Sequence, residues 1–389
     1  MASPSHIAAA EHVQDRFPRS IAIAGAWGYI GRKFLQAARQ LGRKTLVYDP
    51  GPLPADVDLD GVTRVEQEAD FYRQRADLFH LALHPEHRRF GMETLLRRSF
   101  QEPILILCEK PMATPDRPQD CLEAVRAVEA SAAIVLYDFP ELFDPITRRI
   151  IEFLGGFRHT AIDSISVQRS KDREDPANAR NLKRMLPIQY QETVHCLAWV
   201  LFVLAHVQGS LDAVLSRGLS AEAESQPYEP PNPEVYPYVV DGRCRYRLRL
   251  GEVPVEGLTD FKRGAPWTKR RVVRGRGDGR PFQIDAEYLE GGKRLVINGL
   301  AHTDVAESSS YAEVITAYGA WAQRVPRETL LSQLYPNPRF ARVTYQLSSV
   351  LWRSSWQRAP VSLGSLDELL GFEATFAREV PRFPRYGSQ

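Results

Sequence analysis

The sequence predicts an α/β protein whose N-terminal part is a doubly wound parallel sheet and whose C-terminal part is an α+β domain with a largely antiparallel, open sheet. Three observations support this prediction. The chain has 389 residues, enough for two or three domains. Continuous apolar runs alternate with helix-like stretches in its first half, as in a sheet buried on both faces. Strictly alternating strands occupy its second half, which is typical of sheets with one solvated face.

The strands of the first half are short apolar runs bounded by turn residues or by amphipathic stretches. Because such runs lack alternation, each strand is expected to be covered by helices on both sides. A glycine-rich turn and an amphipathic stretch through Phe34, Leu35 and Ala38 follow the first of them. The predicted strands are 21–24, 45–48, 78–83, 104–108 and 134–137.

The pattern changes near residue 140, where Asp144-Pro145 is typical of a helix start and the glycines at 155–156 of its end. From 243 to 250, four arginines alternate with Cys, Tyr, Leu and Leu, which predicts a strand with one packed face. The predicted elements that follow are a hairpin of 282–289 with 294–297 through Gly291-Gly292, a helix whose capping box runs from Ser310 to Glu313, and a helix over 340–355. The predicted domains are an N-terminal extension (1–18), a nucleotide-binding domain (19–143) and an α+β domain (144–389).

Composition excludes several classes of protein. Apolar residues make up 43% and charged residues 25%, and the net charge is 50 − 48 = +2, so neither disorder nor bulk attraction to nucleic acid or membranes is expected. The four cysteines lack CxxC spacing, and the first residues lack the pattern of a secretory signal, so we expect a cytoplasmic protein with no metal site. Residues 262–280 contain eight Lys or Arg and one acid. A solvated hairpin is the favoured interpretation of this segment, and a phosphate-bearing ligand is the alternative.

The first chemical motif is the turn after the first predicted strand, Gly25-Ala26-Trp27-Gly28-Tyr29-Ile30-Gly31. A dinucleotide pyrophosphate needs backbone amides and a helix N-terminus without obstructing side chains, and Gly28 and Gly31 suit that approach. Asp49 follows Gly31 by 49 − 31 = 18 residues and could accept hydrogen bonds from the adenosine ribose. A carboxylate there would repel a 2′-phosphate, which favours NAD over NADP, although Arg43 and Lys44 lie nearby. A glycine-rich turn with a capping Asp is the alternative.

The second motif is Glu109-Lys110-Pro111, at the carboxyl end of a predicted buried strand, where open α/β sheets bind ligands. With this tripeptide, and with Asp49-Pro50 and Leu83-His84-Pro85, the sequence resembles the glucose–fructose oxidoreductase, inositol dehydrogenase and MocA family over most of its length. The resemblance implies a Rossmann domain, a second domain whose sheet joins a homodimer or homotetramer, and hydride transfer between a nicotinamide and a secondary alcohol or ketone of a sugar or cyclic polyol.

The resemblance also implies residue roles. Lys110 would contact the nicotinamide ribose and the reacting oxygen, and its bond to Pro111 would be cis. The cofactor-binding residues predicted from the turn and the resemblance together are Gly25, Ala26, Trp27, Gly28, Tyr29, Ile30, Asp49, Leu83, His84, Pro85, Glu109 and Lys110.

The third motif is Gln191-Glu192-Thr193-Val194-His195, which opens an apolar helix through Trp199. His195 matches the family's histidine, the proposed general acid and base. Helical spacing places Gln191, His195 and Trp199 on one face. Gln191 stands where the family has aspartate and cannot stabilise an imidazolium by charge, although Glu192 could compensate. The predicted substrate-binding residues are Lys110, Tyr137, Gln191, Glu192 and His195.

Three functions follow, of which the first is favoured: an NAD(P)-dependent oxidoreductase with Lys110 and His195 as catalytic residues. A redox-neutral lyase or glycosidase that retains NAD is motivated by Gln191. A non-catalytic sensor or assembly protein is the third, because a fold does not fix a function. Tyr190 and Trp199 could stack on a sugar, and Arg180, Lys183 and Arg184 could bind an acidic substrate, but a packed core and a solvated loop are the more ordinary interpretations.

Overall fold

The computed structural model describes residues 17–373 except 237, 290, 304, 306–308 and 333. Most of the predicted N-terminal extension, residues 1–16, therefore lies outside the described residues. The elements of the first half are β1 (Ser20–Ala24), α1 (Tyr29–Gln40), β2 (Lys44–Tyr48), β3 (Val62–Arg64), α2 (Glu68–Phe71), β4 (Leu78–Leu81), a 3-10 turn (Pro85–His87), α3 (Arg89–Arg98), β5 (Leu105–Glu109), α4 (Gln119–Glu129), β6 (Ile134–Asp138) and α5 (Pro140–Phe143).

These strands form a six-stranded sheet in the order β3-β2-β1-β4-β5-β6, and every adjacent pair is parallel. The central strands β4 and β5 are buried at every position, as continuous apolar runs predict. Strand β3 was not predicted from the sequence, since it has three residues and none of them is buried. The order, with β1 next to β4, leaves the carboxyl ends of these two strands at the reversal point where such sheets bind ligands.

The remaining elements alternate helices with long strands. They are α6 (Pro145–Gly155), β7 (Thr160–Ser170), a 3-10 turn (Ala179–Leu182), a π-helical turn (Gln189–Thr193), α7 (Val194–Gln208), α8 (Leu211–Leu215), β8 (Leu219–Pro227), a 3-10 turn (Pro233–Val235), β9 (Asp241–Leu250), β10 (Val253–Asp260), β11 (Thr268–Gly277), β12 (Arg280–Glu287), β13 (Arg294–Ile297), β14 (Leu300–His302), α9 (Ser310–Arg324), α10 (Arg327–Leu330), α11 (Pro338–Gln357), β15 (Val361–Leu363) and α12 (Leu366–Leu370).

The second sheet has nine strands in the order β14-β13-β12-β11-β7-β10-β9-β8-β15. Only β7 and β10 pair in parallel among these neighbours, so the sheet is mixed and mostly antiparallel, as predicted. In β9, the apolar residues from Cys244 to Leu250 are buried and the intervening arginines at 245, 247 and 249 are exposed, which confirms the period of two. The predicted hairpin corresponds to β12 and β13, with Ile284 opposite Ile297.

The described residues divide into two compact units. The first comprises residues up to Ala113, Gln119–Asp144 and 309–341, and the second comprises Thr114–Pro118, Pro145 to 305 and 342–373. This division differs from the contiguous boundaries given above, because α9 and α10 return to the first sheet. The Tyr318 hydroxyl donates to the Ile134 carbonyl at 2.7 Å, and Arg327 donates to the Ser131 carbonyl at 2.7 Å.

The predicted capping box at the start of α9 is wrong. Ser309 is the N-cap and its side chain makes no capping hydrogen bond. Ser310 is the first helical residue, and its hydroxyl donates instead to the buried Asp144 carboxylate at 3.3 Å. A buried acceptor from a distant segment therefore takes the hydroxyl that the local motif would have used.

Candidate functional site

The turn between β1 and α1 depends on two of its glycines. Gly25 has φ +82°, and a Cβ there would lie 2.8 Å from the Ala82 carbonyl oxygen. A Cβ at Gly31 would lie 2.1 Å from the Gly25 oxygen, so α1 packs against the turn only with glycine there. Gly28 is the N-cap of α1 and is half-buried, as are Tyr29 and Ile30 after it. The turn thus presents backbone groups and the N-terminus of α1, and a pyrophosphate binds to groups of this kind.

Asp49 ties this turn to the loop after β2. Its Oδ2 accepts the Trp27 backbone N–H at 2.8 Å, and its Oδ1 accepts the Gly51 N–H at 2.8 Å. Each carboxylate oxygen keeps another lone pair, so the side chain can still accept ribose hydroxyls. The Trp27 indole N–H is buried and has no hydrogen-bond partner among the described residues. It is a spare donor in the loop that would face a dinucleotide.

A cavity of about 460 Å³ lies beside Asp49 within the first unit. Its size is that of an ordinary small-molecule site. Tyr48, Pro50 and Leu83 supply apolar walls of the kind that an adenine ring needs. The cavity is lined by Tyr48, Pro50, Glu68, Leu83, Glu86, His87, Arg89, Phe90 and Glu93. With three carboxylates, one guanidinium and one imidazole, this lining disfavours an additional phosphate group.

The Lys110-Pro111 turn is held by Arg88, a residue that the sequence analysis missed. Arg88 is buried, and its Nε donates to the Leu83 carbonyl at 2.7 Å while its Nη1 donates to the carbonyls of Pro111, at 3.0 Å, and Glu109. One guanidinium thus joins the loop after β4 to the turn after β5. The Lys110-Pro111 bond is cis, as the resemblance implied. Nothing in the sequence distinguishes Arg88 from its exposed neighbour Arg89, so its role could not be predicted.

Glu109, which precedes Lys110, forms a buried cluster with His80 and Asp138. One ring nitrogen of His80 and one oxygen of each carboxyl group all lie within 4.8 Å of one another. His80 Nε2 is 3.0 Å from Glu109 Oε1. Burial, and then the charge of Glu109, raise the pKa of Asp138 well above its usual range. Burial also opposes ionisation of Glu109, but the hydrogen bond and charge of His80, with lesser contributions from Asp138 and Lys110, lower the pKa of Glu109. The pKa values of the two acids are therefore shifted in opposite directions, and neither Glu109 nor Asp138 was predicted to form this cluster.

The remaining predicted residues of the first unit are Leu83, His84, Pro85 and Tyr137. Leu83, His84 and Pro85 form the loop after β4, where His84 Nδ1 lies 3.3 Å from the Glu86 carboxylate. Tyr137 lies on β6 and is only 2% exposed. Its role in substrate binding stays a prediction.

In the second unit, the chain enters α7 through the π-helical turn. Gln189 donates to Ser225 Oγ at 2.8 Å and to Asp241 Oδ2 at 2.7 Å, and the Thr193 hydroxyl donates to Thr259 Oγ1 at 2.9 Å. These strand residues hold the polar side chains of the wide turn at fixed positions. The sequence predicts a regular helix here, because nothing local in it signals an inserted residue.

The π-helical turn changes the expected surroundings of His195. His195 is buried on the first turn of α7, with Trp199 four residues on. Gln191 lies inside the wide turn, where its Oε1 accepts the Leu186 N–H at 3.3 Å. Glu192 is ion-paired with Arg169 and, at 2.9 Å, with Lys171. Its charge is therefore already balanced, and the predicted compensation for the missing aspartate is not supported.

Trp199 is a core residue, which the more ordinary interpretation of its sequence context predicted. Its indole N–H lies 2.9 Å from the Tyr288 hydroxyl and 3.2 Å from Thr147 Oγ1, and its side chain is fully buried. The first unit thus brings one set of predicted residues to the carboxyl edge of its sheet, and the second carries another set on one turn. The first set is Gly25–Ile30, Asp49, Leu83–Pro85, Glu109 and Lys110. The second set is Gln191, Glu192 and His195.

Within the described residues, each helix is either too short or too polar to cross a bilayer. The cysteines at positions 108, 121, 196 and 244 are buried, and none of them forms a disulfide.

No protein-family model and no curated protein matches the chain. Solved structures do. A myo-inositol dehydrogenase from Corynebacterium glutamicum matches with a TM-score of 0.61 and 14% identity, over 88% of this chain and 98% of that one. An oxidoreductase from Agrobacterium radiobacter, solved with NAD+, L-tartaric acid and magnesium, matches with a TM-score of 0.62 and 12% identity, over 88% and 98%.

A super-repressor mutant of Gal80p from Saccharomyces cerevisiae matches with a TM-score of 0.66 and 12% identity, over 91% of this chain and 100% of that one. These similarities confirm the two-domain fold that the motifs implied, and with it the resemblance at the level of the fold. At such identities, dehydrogenases and a transcriptional regulator share the same architecture, so the activity has to be argued from the residues.

Proposed function

We propose that this chain is an NAD-dependent oxidoreductase that transfers hydride between the nicotinamide and a secondary alcohol or ketone of a carbohydrate-like compound. One observation carries the proposal. In the first unit, a glycine turn bonded to Asp49 and a Lys-Pro turn held by Arg88 lie at the same edge of a doubly wound sheet. This edge is where open α/β sheets bind dinucleotides, and the spare Trp27 N–H and the neighbouring cavity fit one.

Each proposed role rests on the chemistry of a residue of this chain. NAD, when bound, accepts or returns the hydride. The backbone from Gly25 to Ile30 would bind the pyrophosphate, and Asp49 the adenosine ribose. Lys110, with its backbone fixed by Arg88, would donate a hydrogen bond to the reacting oxygen and stabilise the charge that develops there. His195 would accept the hydroxyl proton in oxidation and return it in reduction.

NAD is proposed in preference to NADP because Asp49 and the three carboxylates of the cavity would lie near a 2′-phosphate. Calorimetric titration with each cofactor tests this. We expect NAD to bind at least about tenfold more tightly than NADP, and Asp49→Asn to reduce that ratio. Failure of the folded protein to bind either cofactor would refute the proposed function.

Turnover is tested by absorbance at 340 nm across a panel of polyols, sugars and their oxidised forms. For a substrate found in this way, His195→Asn should lower kcat by about 100-fold or more while NAD affinity stays within about twofold. The redox-neutral alternative predicts substrate consumption without a change at 340 nm, so analysis of the products by chromatography distinguishes it.

The similarity to Gal80p favours a second candidate, an NAD-binding regulator without catalysis. Gln191 in place of an aspartate, and Glu192 occupied by two cations, are consistent with it. This candidate predicts that a small molecule binds equally well to the wild type and to His195→Asn, and that no member of the panel turns over. From the family resemblance, we also propose that the second sheet joins a homodimer or homotetramer, which sedimentation equilibrium tests.

A further inference from the structure

Three cations lie close together in sequence at the end of β7 in the second unit: Arg169, Lys171 and Arg173. After β7 ends at Ser170, the Lys171 N–H donates to the Asp260 carbonyl at 3.0 Å and the Arg173 N–H to the Phe261 carbonyl at 3.1 Å. These bonds hold the segment beside the end of β10. Lys171 Nζ lies 4.8 Å from the centre of the Phe261 ring, and the Arg173 guanidinium carbon lies 6.0 Å from it.

Two of these cations contact the same carboxylate, and the third has an unused donor. Arg169 and Lys171 share the single carboxylate of Glu192. Arg173 is 8% exposed and donates to the backbone carbonyl of Arg180 at 3.1 Å. Its Nε is buried and has no hydrogen-bond partner among the residues that the structure describes. A buried guanidinium donor without an acceptor is costly unless a ligand supplies one.

The acids of the same loop form their hydrogen bonds and ion pairs with other groups. Glu174 lies 2.7 Å from Lys262 Nζ and accepts the backbone N–H groups of Glu229 and Arg263. Asp172 accepts three backbone N–H groups, those of residues 174, 175 and 264. These carboxylates therefore stabilise the loop through backbone contacts and Lys262, and none of these contacts is with Arg173.

The pKa of Lys171 reflects its burial and the positive charges around it. Burial lowers the pKa of its amine well below the usual range, and the charges of Arg180 and Arg169 add to that effect against the attraction of Glu192. Burial and Arg180 likewise lower the pKa of Arg173. The loop is also anchored at this point, since the Tyr228 hydroxyl donates to the Arg173 carbonyl at 2.6 Å. The cations cannot readily spread apart, so an anion would relieve their mutual repulsion.

We propose that Lys171, Arg173 and Arg180 bind an oxyanion, a carboxylate or phosphate group carried by the substrate. Glu192 connects this cluster to the turn that opens α7, three residues before His195. The substrate class is therefore a sugar acid or a sugar phosphate in preference to a neutral polyol. Its identification as a substrate rests on the proposed function, whereas the oxyanion site does not.

The test is calorimetric titration of the full chain without NAD, using D-glucose, D-gluconate, D-glucose 6-phosphate and inorganic phosphate at millimolar concentrations. At least one anion should bind about tenfold or more tightly than glucose, and the gluconate and phosphate arms show which oxyanion is preferred. Lys171→Met and Arg180→Gln should each weaken anion binding by about tenfold and change glucose binding by less than about twofold. Arg217→Met is the charge-matched control, because Arg217 is an exposed partner of Glu252, and it should change nothing.

Two results would overturn the proposal: no anion binds to the folded wild type more tightly than glucose, or Lys171→Met and Arg180→Gln, folded by circular dichroism, bind the anions as the wild type does. Because NAD is absent from these titrations, failure of the chain to bind NAD would refute the proposed function and leave this result standing.

Discussion

The two regions that carry the proposed chemistry are built in different ways. Around Lys110, backbone groups determine the structure. They are a glycine turn, a cis peptide bond, and the carbonyls of the loops after β4 and β5, which one guanidinium binds. Around His195, the structure is set by side chains of the π-helical turn, which bond to strands far away in sequence, as in Gln189 with Asp241 and Thr193 with Thr259. The first region should therefore fail when backbone geometry is disturbed, and the second when single side-chain partners are removed.

The largest effect is expected from Gly31→Ala. The added Cβ would lie 2.1 Å from the Gly25 carbonyl oxygen, so α1 must move away from the turn. We expect NAD affinity, measured by calorimetry, to fall by about 100-fold or more, with a lower melting temperature. Gly292→Ala is the control, because a Cβ there meets only Leu289 Cβ at 4.0 Å. Wild-type NAD affinity in Gly31→Ala would show that the glycine turn is not the cofactor site.

Arg88→Met tests the guanidinium that joins the two loops. Carbonyls of Leu83, Glu109 and Pro111 would lose their charged donor, and we expect the free energy of unfolding in urea to fall by about 3 kcal/mol. Arg89→Met is a matched control one residue away. Its side chain is 72% exposed and pairs with Glu93, so it should cost less than about 0.5 kcal/mol. Equal losses in the two variants would contradict the role given to Arg88.

The same difference explains how far the sequence could predict each region. A glycine-rich turn, a Lys-Pro step and continuous apolar runs are local properties of the sequence. The fold, and the position of the first set of residues at one edge of its sheet, could therefore be predicted. Arg88 could not, because its partners are backbone carbonyls that any sequence possesses. The occupation of Glu192 by Arg169 and Lys171, and the π-helical turn itself, depend on strands paired across the second sheet. Helical periodicity alone therefore could not predict these contacts.

A pH dependence is expected from the second region. Burial raises the pKa of Asp241 to about 6 from 3.8, although hydrogen bonds from Gln189 and Ser225 oppose the shift. The folded protein therefore binds this proton more tightly than the unfolded chain, and stability falls as the pH rises from about 4 to about 6. Asp241→Asn removes that loss, and its amide can donate to Gln189 Oε1, which has no partner among the described residues.

In urea unfolding, Asp241→Asn should be more stable than the wild type by up to about 3 kcal/mol at pH 7.5, and this advantage should disappear near pH 4. A difference that is constant across pH would mean that Asp241 is ionised with its ordinary pKa and that the turn tolerates its charge.

The smallest effect is expected from Thr193→Val, which keeps shape and removes one buried hydroxyl from the π-helical turn. The hydroxyl of Thr259 would lose its partner at 2.9 Å, and the free energy of unfolding should fall by about 1 kcal/mol. Thr193→Val with Thr259→Val should cost less than the sum of the single changes, since no polar group is then left without a partner. Additive losses in this double-mutant cycle would show that the two hydroxyls act independently. In that case, paired side chains would not determine the structure of the second region at this contact.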